Sequence, residues 1–323
     1  MPTEEVVLGI DGGGTHTRVV CADLAGNILG RAQGGAANPS KNPDAAAAVQ
    51  QAILEALAAA QRRPQQIAAL VAGLAGMDDP ADQEWAQRFT TLSGLAVKPI
   101  CVNDAVVAWA GALTLQPGIV VIAGTGCIVL GVTAAGRQIS NYDLGHYANA
   151  TARNLTYAAV FRILAEATTQ SDEPLVTELL AYFAVQDIPS LAEATLGHEQ
   201  LPRAERIRLY SGCAHLITGA AGQGVPLACA VCDQAATELA EAVRVVGALF
   251  DQDTILYACC GSVVRTSYLH QALQRHLDIP RRRCFLHQEP HFSPEIGALL
   301  LAYQQIALPL DQARLDQLRQ RVV

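Results

Sequence analysis

The sequence contains only two lysines, Lys41 and Lys98. The loop of P-loop NTPases ends in glycine, lysine and serine or threonine, and neither lysine follows a glycine, which excludes that class. The net charge is −8, and no basic run is longer than the three arginines at 281–283. We therefore expect no nucleic-acid partner.

A basic segment is also missing before the first apolar run, which Glu4 and Glu5 precede instead. This pattern is not that of a signal peptide, so the nine cysteines predict reduced thiols in the cytoplasm. The apolar stretch "PGIVVIAGTGCIVLGVTAAG" at 117–136 is long enough to span a membrane. Its five glycines and many β-branched residues favour two buried strands instead, and we expect no membrane partner.

Two pairs of cysteines are spaced closely enough to suggest a metal or redox site. Cys229 and Cys232 lie in a stretch of helical periodicity and share one face, while Cys259 and Cys260 are neighbours at the end of an apolar run typical of a strand. Adjacent strand positions point to opposite faces and cannot bind one metal together. The sequence favours core packing for both pairs.

The first glycine-rich loop follows an apolar run at 6–10 and reads "DGGGTHT" at 11–17. A dinucleotide-binding fold requires a helix at this point, whereas the next residues predict a hairpin turning at 25–27. Backbone amides from Gly12 to Thr15 would form an anion-binding nest, with glycine supplying unusual φ values and close approach. Asp11 would hold Mg²⁺ through water. The alternative is a tight hairpin turn with no ligand.

A similar pattern recurs in "GIVVIAGTGCIVLGVTAAGR" at 118–137. A shift of 110 residues superposes Gly14 and Thr15 on Gly124 and Thr125. The repeat predicts two related domains that hold one polyphosphate.

These motifs resemble those of the acetate and sugar kinase, Hsc70 and actin superfamily. Within it, the chain is similar to the N-acetylglucosamine kinases and the BadF/BadG/BcrA/BcrD-type ATPases. Five segments match in family order: "DGGGTHT" at 11–17, "VNDAVVAWAGA" at 102–112, "IAGTGC" at 122–127, "ACCGSVV" at 258–264 and "SPEIGALLLA" at 293–302.

The resemblance implies an α/β fold with two duplicated ribonuclease H-like (actin-like ATPase) domains around an interdomain ATP cleft. We expect an N-terminal domain at 1–112 and a C-terminal domain at 113–323 with a helical insert at about 166–212. A closing helix at about 293–305 would pack back on the first domain.

The resemblance also assigns roles to residues that bind ATP and Mg²⁺. Asp11 would lie near the metal. The predicted cofactor contacts are Gly12, Gly13, Gly14, Thr15 and Thr17 in the first loop, Gly124, Thr125 and Gly126 in the second, and Gly261 and Ser262 at adenosine.

Asp104 is the predicted catalytic residue, because a carboxylate near a sugar hydroxyl can accept its proton during phosphoryl transfer. The alternative is that Asp104 is only the N-cap of the helix that follows. The predicted substrate contacts are Asn38, Asn103, Asp104, Gly145 and Asn149.

One segment departs from the family pattern. Sugar kinases of this family usually have Gly-Asp-Glu-Gly-Ser where this chain has "NATAR" at 149–153. Either Asn149, Arg153 or His146 binds a different substrate group, or Asp143 supplies the carboxylate, or phosphorylation has been lost.

We therefore expect an ATP- and Mg²⁺-dependent kinase of an amino sugar such as N-acetylglucosamine or glucosamine. The alternatives are an ATPase that couples hydrolysis to a partner and a non-catalytic nucleotide or sugar sensor. We expect a homodimer. The tail, with Leu310, Leu315 and Leu318 at helical spacing, would dock on the body or at a subunit interface.

Overall fold

The computed structural model describes residues 4–319. In chain order, the strands are β1 (Val6–Gly12), β2 (Thr17–Asp23), β3 (Ile28–Gly34), β4 (Ile67–Leu74), β5 (Ile100–Asn103), β6 (Gly118–Ala123), β7 (Cys127–Val132), β8 (Gln138–Ser140), β9 (Thr254–Cys260) and β10 (Cys284–His287). The α-helices are α1 (Ala45–Ala59), α2 (Gln83–Thr90), α3 (Asp104–Leu113), α4 (Ala152–Leu164), α5 (Glu173–Tyr182), α6 (Ile188–His198), α7 (Arg203–Gly212), α8 (Ala214–Gly222), α9 (Pro226–Gly247), α10 (Ser267–Leu277), α11 (Pro294–Gln305) and α12 (Gln312–Arg319).

The chain divides into two compact units. The first contains the chain up to Val120 and the chain from Glu289 onward, and the second runs from Val121 to Gln288. The expected boundary at residue 112 falls at the end of α3, and the chain from Glu289 belongs to the first unit, on which the helix at about 293–305 was expected to pack. The physical reason is that α11 packs against β1 and α3.

The first sheet has the order β3-β2-β1-β4-β5, in which β1 pairs antiparallel with β2 and parallel with β4. The predicted hairpin is therefore confirmed. Alternate residues of β1 enter different cores, because Val6, Leu8 and Ile10 pack with α1 while Val7 packs with α11. A strand buried on both faces explains the continuous apolar run in the sequence.

Glycines allow α3 and α11 to approach closely in the first unit. A Cβ atom on Gly297 would collide with the backbone of Val107 and Gly111. The C-terminal helix α12 also packs here, since Leu318 lies in the core that α11 forms with the sheet. The tail thus docks on the body of the first unit.

The second sheet has the order β10-β9-β6-β7-β8, which repeats the mixed pattern of the first. The segment at 117–136 forms β6 and β7, as predicted. The segment at 166–212 is helical and forms α5, α6 and α7. Cys229 and Cys232 lie on α9, where Cys232 is buried.

Within residues 4–319, no single helix has both the length and the apolar character needed to cross a membrane. One pair, Arg203–Gly222 and Pro226–Gly247, has that length and composition only across a bend of 105°.

Candidate functional site

The predicted site residues fall into both units. The first unit contains Asp11, Gly12, Gly13, Gly14, Thr15, Thr17, Asn38, Asn103 and Asp104, and the second contains Gly124, Thr125, Gly126, Gly145, Asn149, Gly261 and Ser262. Each group is described within its own unit.

Asp11 lies near the end of β1, where the strand meets the glycine loop. It is buried, with 8% of its surface exposed, and its Oδ2 accepts a hydrogen bond from Arg18 Nη1 at 3.1 Å. Burial, followed by the negative charges of Asp104 and Glu295, raises the pKa of Asp11 to about 7 despite the opposing effect of Arg18. The first unit therefore concentrates negative charge at a point where little water can screen it.

The three glycines of the first loop have different surroundings. A Cβ atom on Gly12 would lie 2.6 Å from Leu74 Cδ2, and the amide of Gly13 donates to the carbonyl of His16 at 2.9 Å. None of the three is among the glycines with positive φ. The prediction that this loop needs unusual φ values is therefore wrong, and the glycines instead permit close approach.

The two threonines of the first loop differ in exposure. Thr15 is exposed, whereas Thr17 is fully buried and its hydroxyl donates to the carbonyl of Gly35 at 2.7 Å. The structure thus uses Thr17 to fasten the hairpin to the next loop. We leave Thr17 out of the proposed phosphate contacts for this reason.

Asp104 is the first residue of α3, at the carboxyl end of β5. The N-cap is Asn103, whose Oδ1 accepts from the amide of Ala105 at 2.9 Å. The alternative that Asp104 serves as the N-cap is therefore excluded. The side-chain amide of Asn103 donates to Asp78 Oδ1 at 2.8 Å, so this side chain is engaged within the protein.

The surroundings of Asp104 raise its pKa, so its neutral form persists to a higher pH than that of an ordinary carboxyl group. Burial, followed by the charge of Asp78, raises the pKa of Asp104 to about 6, while the backbone amide of Ala105 and the charge of Lys41 lower it. Burial and the charge of Asp82 also raise the pKa of Asp78. A carboxyl group with a pKa near neutrality is suited to proton transfer at physiological pH.

Lys41 is a residue that the sequence motifs missed. A Cβ atom on Gly14 would lie 2.6 Å from Lys41 Nζ, so the ammonium group lies against the glycine loop. Its positive charge also lowers the pKa of Asp104. The available signal was its rarity, because it is one of two lysines and lies in the loop "NPSKN" at 38–42.

Asn38 lies in the same loop as Lys41. Its Oδ1 accepts from the amide of Ser40 at 2.9 Å and from the Ser40 hydroxyl at 2.6 Å. Its Nδ2 would lie 2.6 Å from a Cβ atom on Gly76, which has a φ of +87°. Asn38 therefore shapes its loop through its oxygen, and only its amide nitrogen remains as a donor toward a ligand.

In the second unit, the second glycine loop lies beside the loop that follows β9. An ideal Cβ atom on Gly124 would lie 3.6 Å from both the backbone nitrogen and the Oγ of Ser262. Thr125, Gly126, Gly261 and Ser262 are exposed. The structure thus places these two predicted nucleotide loops together.

Gly261 has a conformation that favours glycine. Its φ is +99°, and a Cβ atom at this position would collide with the carbonyl of Ala123. The amides of Val263 and Val264 also approach that carbonyl, at 3.0 and 3.2 Å. The loop after β9 therefore depends on close backbone contact with the end of β6.

The segment before α4 is connected to the second glycine loop through Cys127. The Tyr142 hydroxyl donates to the carbonyl of Cys127. Burial raises the pKa of the Cys127 thiol to about 12, an effect opposed by a hydrogen bond from the backbone of Ala150. The thiol is therefore neutral and serves as a packing and hydrogen-bonding group.

Thr151 of the "NATAR" segment and the nearby Asp143 both have hydrogen-bond partners within the second unit. Thr151 is the N-cap of α4, and its hydroxyl accepts from the amide of Asn154 at 3.2 Å. Asp143 Oδ2 accepts from both the amide and the hydroxyl of Ser140, at 2.7 and 2.9 Å. This oxygen of Asp143 thus accepts its hydrogen bonds from within the turn that contains it. Gly145 ends that turn in the left-handed conformation, with φ of +69°.

A carboxylate from another element lies beside Asn149. Glu238 Oε2, on α9, accepts from the amide of Asn149 at 2.6 Å. Glu241, one turn further along α9, lies 3.9 Å from His146 Nε2. Sequence reasoning missed Glu238 because 89 residues separate it from Asn149.

Parts of the chain are similar to curated proteins of known name. A stretch of 142 residues is 32% identical to an N-acetylmuramic acid/N-acetylglucosamine kinase of Clostridium acetobutylicum and covers 43% of this chain and 46% of that protein. A stretch of 145 residues is 31% identical to an N-acetyl-D-glucosamine kinase of Dictyostelium discoideum, covering 42% of this chain and 46% of that protein. The matched stretch thus spans slightly less than half the length of each curated relative.

The fold has close counterparts among solved structures. A crystal structure of a candidate N-acetylglucosamine kinase from Chromobacterium violaceum superposes with a TM-score of 0.70 at 25% identity, over 93% of this chain and 100% of that one. This match supports the expected two-domain, actin-like ATPase class. The model of the BadF/BadG/BcrA/BcrD ATPase family matches residues 8–302, so this chain belongs to that family.

Proposed function

We propose that the protein is an ATP-dependent kinase that transfers the γ-phosphoryl group to a hydroxyl of an amino sugar such as N-acetylglucosamine or glucosamine. The relatives named above act on sugars of this class by their names, and family membership implies use of ATP. The proposal depends most on one observation. Asp104 is near enough to Lys41 for the lysine charge to lower its pKa, and the ammonium of Lys41 lies against Gly14.

Asp104 would act as the general base. It would accept the proton of the attacking hydroxyl while the new oxygen–phosphorus bond forms and the bond to the β-phosphate oxygen breaks, and ADP leaves with that electron pair. Lys41 would donate hydrogen bonds to phosphate oxygens and offset their charge. The exposed Thr15 and the backbone at Gly14 would position the terminal phosphates, whereas the amide of Gly13 already donates to His16.

The first unit also fits a magnesium ion. Asp11 offers the hard carboxylate oxygens that Mg²⁺ prefers, and its burial together with the nearby charges of Asp104 and Glu295 would favour a bound cation. We propose that Asp11 holds the ion. A bound Mg²⁺ would neutralise charge on the β- and γ-phosphates.

In the second unit, Gly124, Thr125 and Gly126 would contact the α- and β-phosphates, with Gly261 and Ser262 at adenosine. Glu238 and Asn149 would supply the polar groups for sugar hydroxyls. Glu238 thereby provides the carboxylate that "NATAR" lacks, since an ionised carboxylate accepts hydroxyl hydrogen bonds more strongly than an amide does.

The test is a panel of N-acetylglucosamine, glucosamine, N-acetylmuramic acid and glucose, each incubated with ATP and Mg²⁺, with ADP release measured. We expect at least one amino sugar to accelerate ADP release by tenfold or more, and Asp104→Asn to abolish the acceleration. Asp187→Asn is the matched control, because Asp187 caps α6 outside the site and asparagine caps equally well.

If ATP binds but no sugar accelerates ADP release, the proposal fails and the sensor or partner-coupled ATPase becomes the better hypothesis. The homodimer and the cytoplasmic location stay predictions, and light scattering of the purified protein tests the first.

A further inference from the structure

Three side chains with metal-binding atoms meet at the β9–β10 edge of the second sheet. Cys259 lies on β9, His270 on α10 and His287 on β10. One ligand atom from each residue lies within 4.8 Å of the other two, and no other such group of three or more occurs in the part of the chain that the structure describes.

The sheet register explains why two of them meet. The strands β9 and β10 run parallel with His287 opposite Tyr257. Cys259 is two residues beyond Tyr257, on the same face, and is therefore a diagonal neighbour of His287. Cys260 points to the opposite face of β9, so the ligand atoms that meet Cys259 come from two other elements, α10 and β10.

The third side chain comes from the first turns of α10, which packs against β10. The rings of His270 and His287 meet edge to face, with centroids 4.5 Å apart. Tyr257, which is buried, also contacts His287, with ring centroids 5.2 Å apart. The imidazole of His287 thus packs against two neighbouring rings.

The cluster is also shielded from water. Cys259 is 2% exposed, and both histidines are half-buried. A thiolate that binds a metal in such surroundings is protected from exchange with other thiols, whereas the half-buried histidines leave a path for an ion and for a water ligand.

We propose that Cys259, His270 and His287 bind one zinc ion in the second unit. One sulfur and two imidazole nitrogens suit Zn²⁺ and do not suit the oxygen-preferring Mg²⁺ of the phosphoryl-transfer site. Tetrahedral zinc keeps its ligand atoms about 3.3–3.7 Å apart, so small side-chain rotations would close the present spacing.

Binding would proceed by ligand exchange without redox chemistry. The Cys259 thiol loses its proton to solvent, its sulfur and the two imidazole nitrogens replace water on the ion, and one water remains as the fourth ligand. The ion would join β9, α10 and β10 next to the Gly261 loop. Its main effect would be on the stability of the second unit.

The test is a titration of metal-stripped full-length protein with Co²⁺, which reports tetrahedral thiolate coordination by absorption. We expect one equivalent to give a thiolate-to-cobalt charge-transfer band that one equivalent of Zn²⁺ removes. Cys259→Ser should abolish the band, and His270→Gln and His287→Gln should weaken Zn²⁺ binding by about tenfold or more.

Two thiol controls are available. Cys260→Ser, on the opposite strand face, and Cys284→Ser, at an exposed position, should leave the band unchanged. Zn²⁺ should also raise the melting temperature of the wild type and of both controls, but not that of Cys259→Ser. His270 is half-buried, so His270→Gln provides a folded variant if Cys259→Ser does not fold.

The absence of a stoichiometric charge-transfer band in the wild type would overturn the proposal, as would a band that persists in folded Cys259→Ser or an unchanged Zn²⁺ affinity in His270→Gln. These readouts require no sugar or nucleotide. A failure here therefore leaves the proposed kinase function untouched, and the converse also holds.

Discussion

The carboxylate of Asp11 lies 3.1 Å from the guanidinium of Arg18, yet its pKa is raised to about 7. A salt bridge alone would lower it, so burial and the neighbouring carboxylates of Asp104 and Glu295 outweigh the bridge. Arg18 is about half exposed, which weakens its opposing effect. The pKa of Asp11 is therefore set first by its burial and second by the neighbouring carboxylates.

This relationship predicts how stability depends on pH. Between its usual pKa near 3.8 and about 7, Asp11 binds more proton in the folded than in the unfolded protein, so the free energy of unfolding falls as pH rises. Asp11→Asn should stabilise the ligand-free protein at pH 8 by about 4 kcal/mol, because each pKa unit between 3.8 and about 7 corresponds to about 1.4 kcal/mol. At pH 4 the gain should vanish.

Chemical denaturation at the two pH values measures this difference. Glu55→Gln, at an exposed acid on α1, is the matched control and should show no such pH dependence. Equal effects of Asp11→Asn at both pH values would contradict the burial argument.

The pH dependence of turnover gives a second prediction. Asp104 must be ionised to accept a proton, and its pKa is about 6. Sugar phosphorylation, expressed as kcat/KM, should therefore rise with pH through about 6 to 7 and level off above that range. A direct assay of sugar phosphate at each pH avoids coupling enzymes, and a profile that is flat from pH 5 to 8 would exclude Asp104 as the base.

Lys41 provides the third prediction. Lys41→Met removes the ammonium beside Gly14 and should weaken ATP binding by about tenfold, with a smaller effect on ADP, because a phosphate-binding charge acts most on the terminal group. Lys98→Met changes the only other lysine and should have no effect. Calorimetry of both nucleotides compares the variants, and equal losses for ATP and ADP would argue against contact with the terminal phosphate.

Glu238 provides the fourth prediction. Glu238→Gln keeps an acceptor for the Asn149 amide but removes the charge, so the KM for sugar should rise by about tenfold while the KM for ATP stays constant. Glu178→Gln, at an exposed position of α5, is the control. A larger effect on ATP than on sugar would place Glu238 elsewhere in the mechanism.

Gly261 provides the fifth prediction, paired with Gly136. Both have positive φ, but a Cβ atom meets the carbonyl of Ala123 at Gly261 and meets nothing within 4 Å at Gly136. Gly136→Ala should cost about 1 kcal/mol from conformation alone, and Gly261→Ala should cost about twice that and weaken nucleotide binding. Thermal unfolding measures the loss of stability, and calorimetry measures nucleotide affinity. Equal losses of stability in the two variants would contradict the role of close contact at Gly261.

Local patterns were enough to predict much of the fold. The succession of β1 to β3 and the β6–β7 hairpin follow from apolar and β-branched runs punctuated by glycine. The anion-binding nest at Gly12 to Thr15 stays a prediction. None of the three glycines has positive φ, and only the three-dimensional structure shows which atoms approach them.

The remaining site residues could not be predicted because they depend on tertiary contacts. Lys41 lies in "NPSKN" at 38–42, where only Asn38 was predicted as a contact, and its significance comes from the side chain that reaches Gly14. Glu238 becomes relevant through a helix that begins far from "NATAR" in sequence. The cluster of Cys259, His270 and His287 follows from strand register and helix packing, which no spacing rule encodes.

The most direct test of the central claim is the transfer itself. Purified protein is incubated with ATP, Mg²⁺ and N-acetylglucosamine or glucosamine, and the sugar is analysed by mass spectrometry. The account predicts a sugar phosphate formed in equal amount to ADP by the wild type and by Asp187→Asn, but not by Asp104→Asn. ADP formed without any sugar phosphate, or sugar phosphate formed at the wild-type rate by Asp104→Asn, would contradict it.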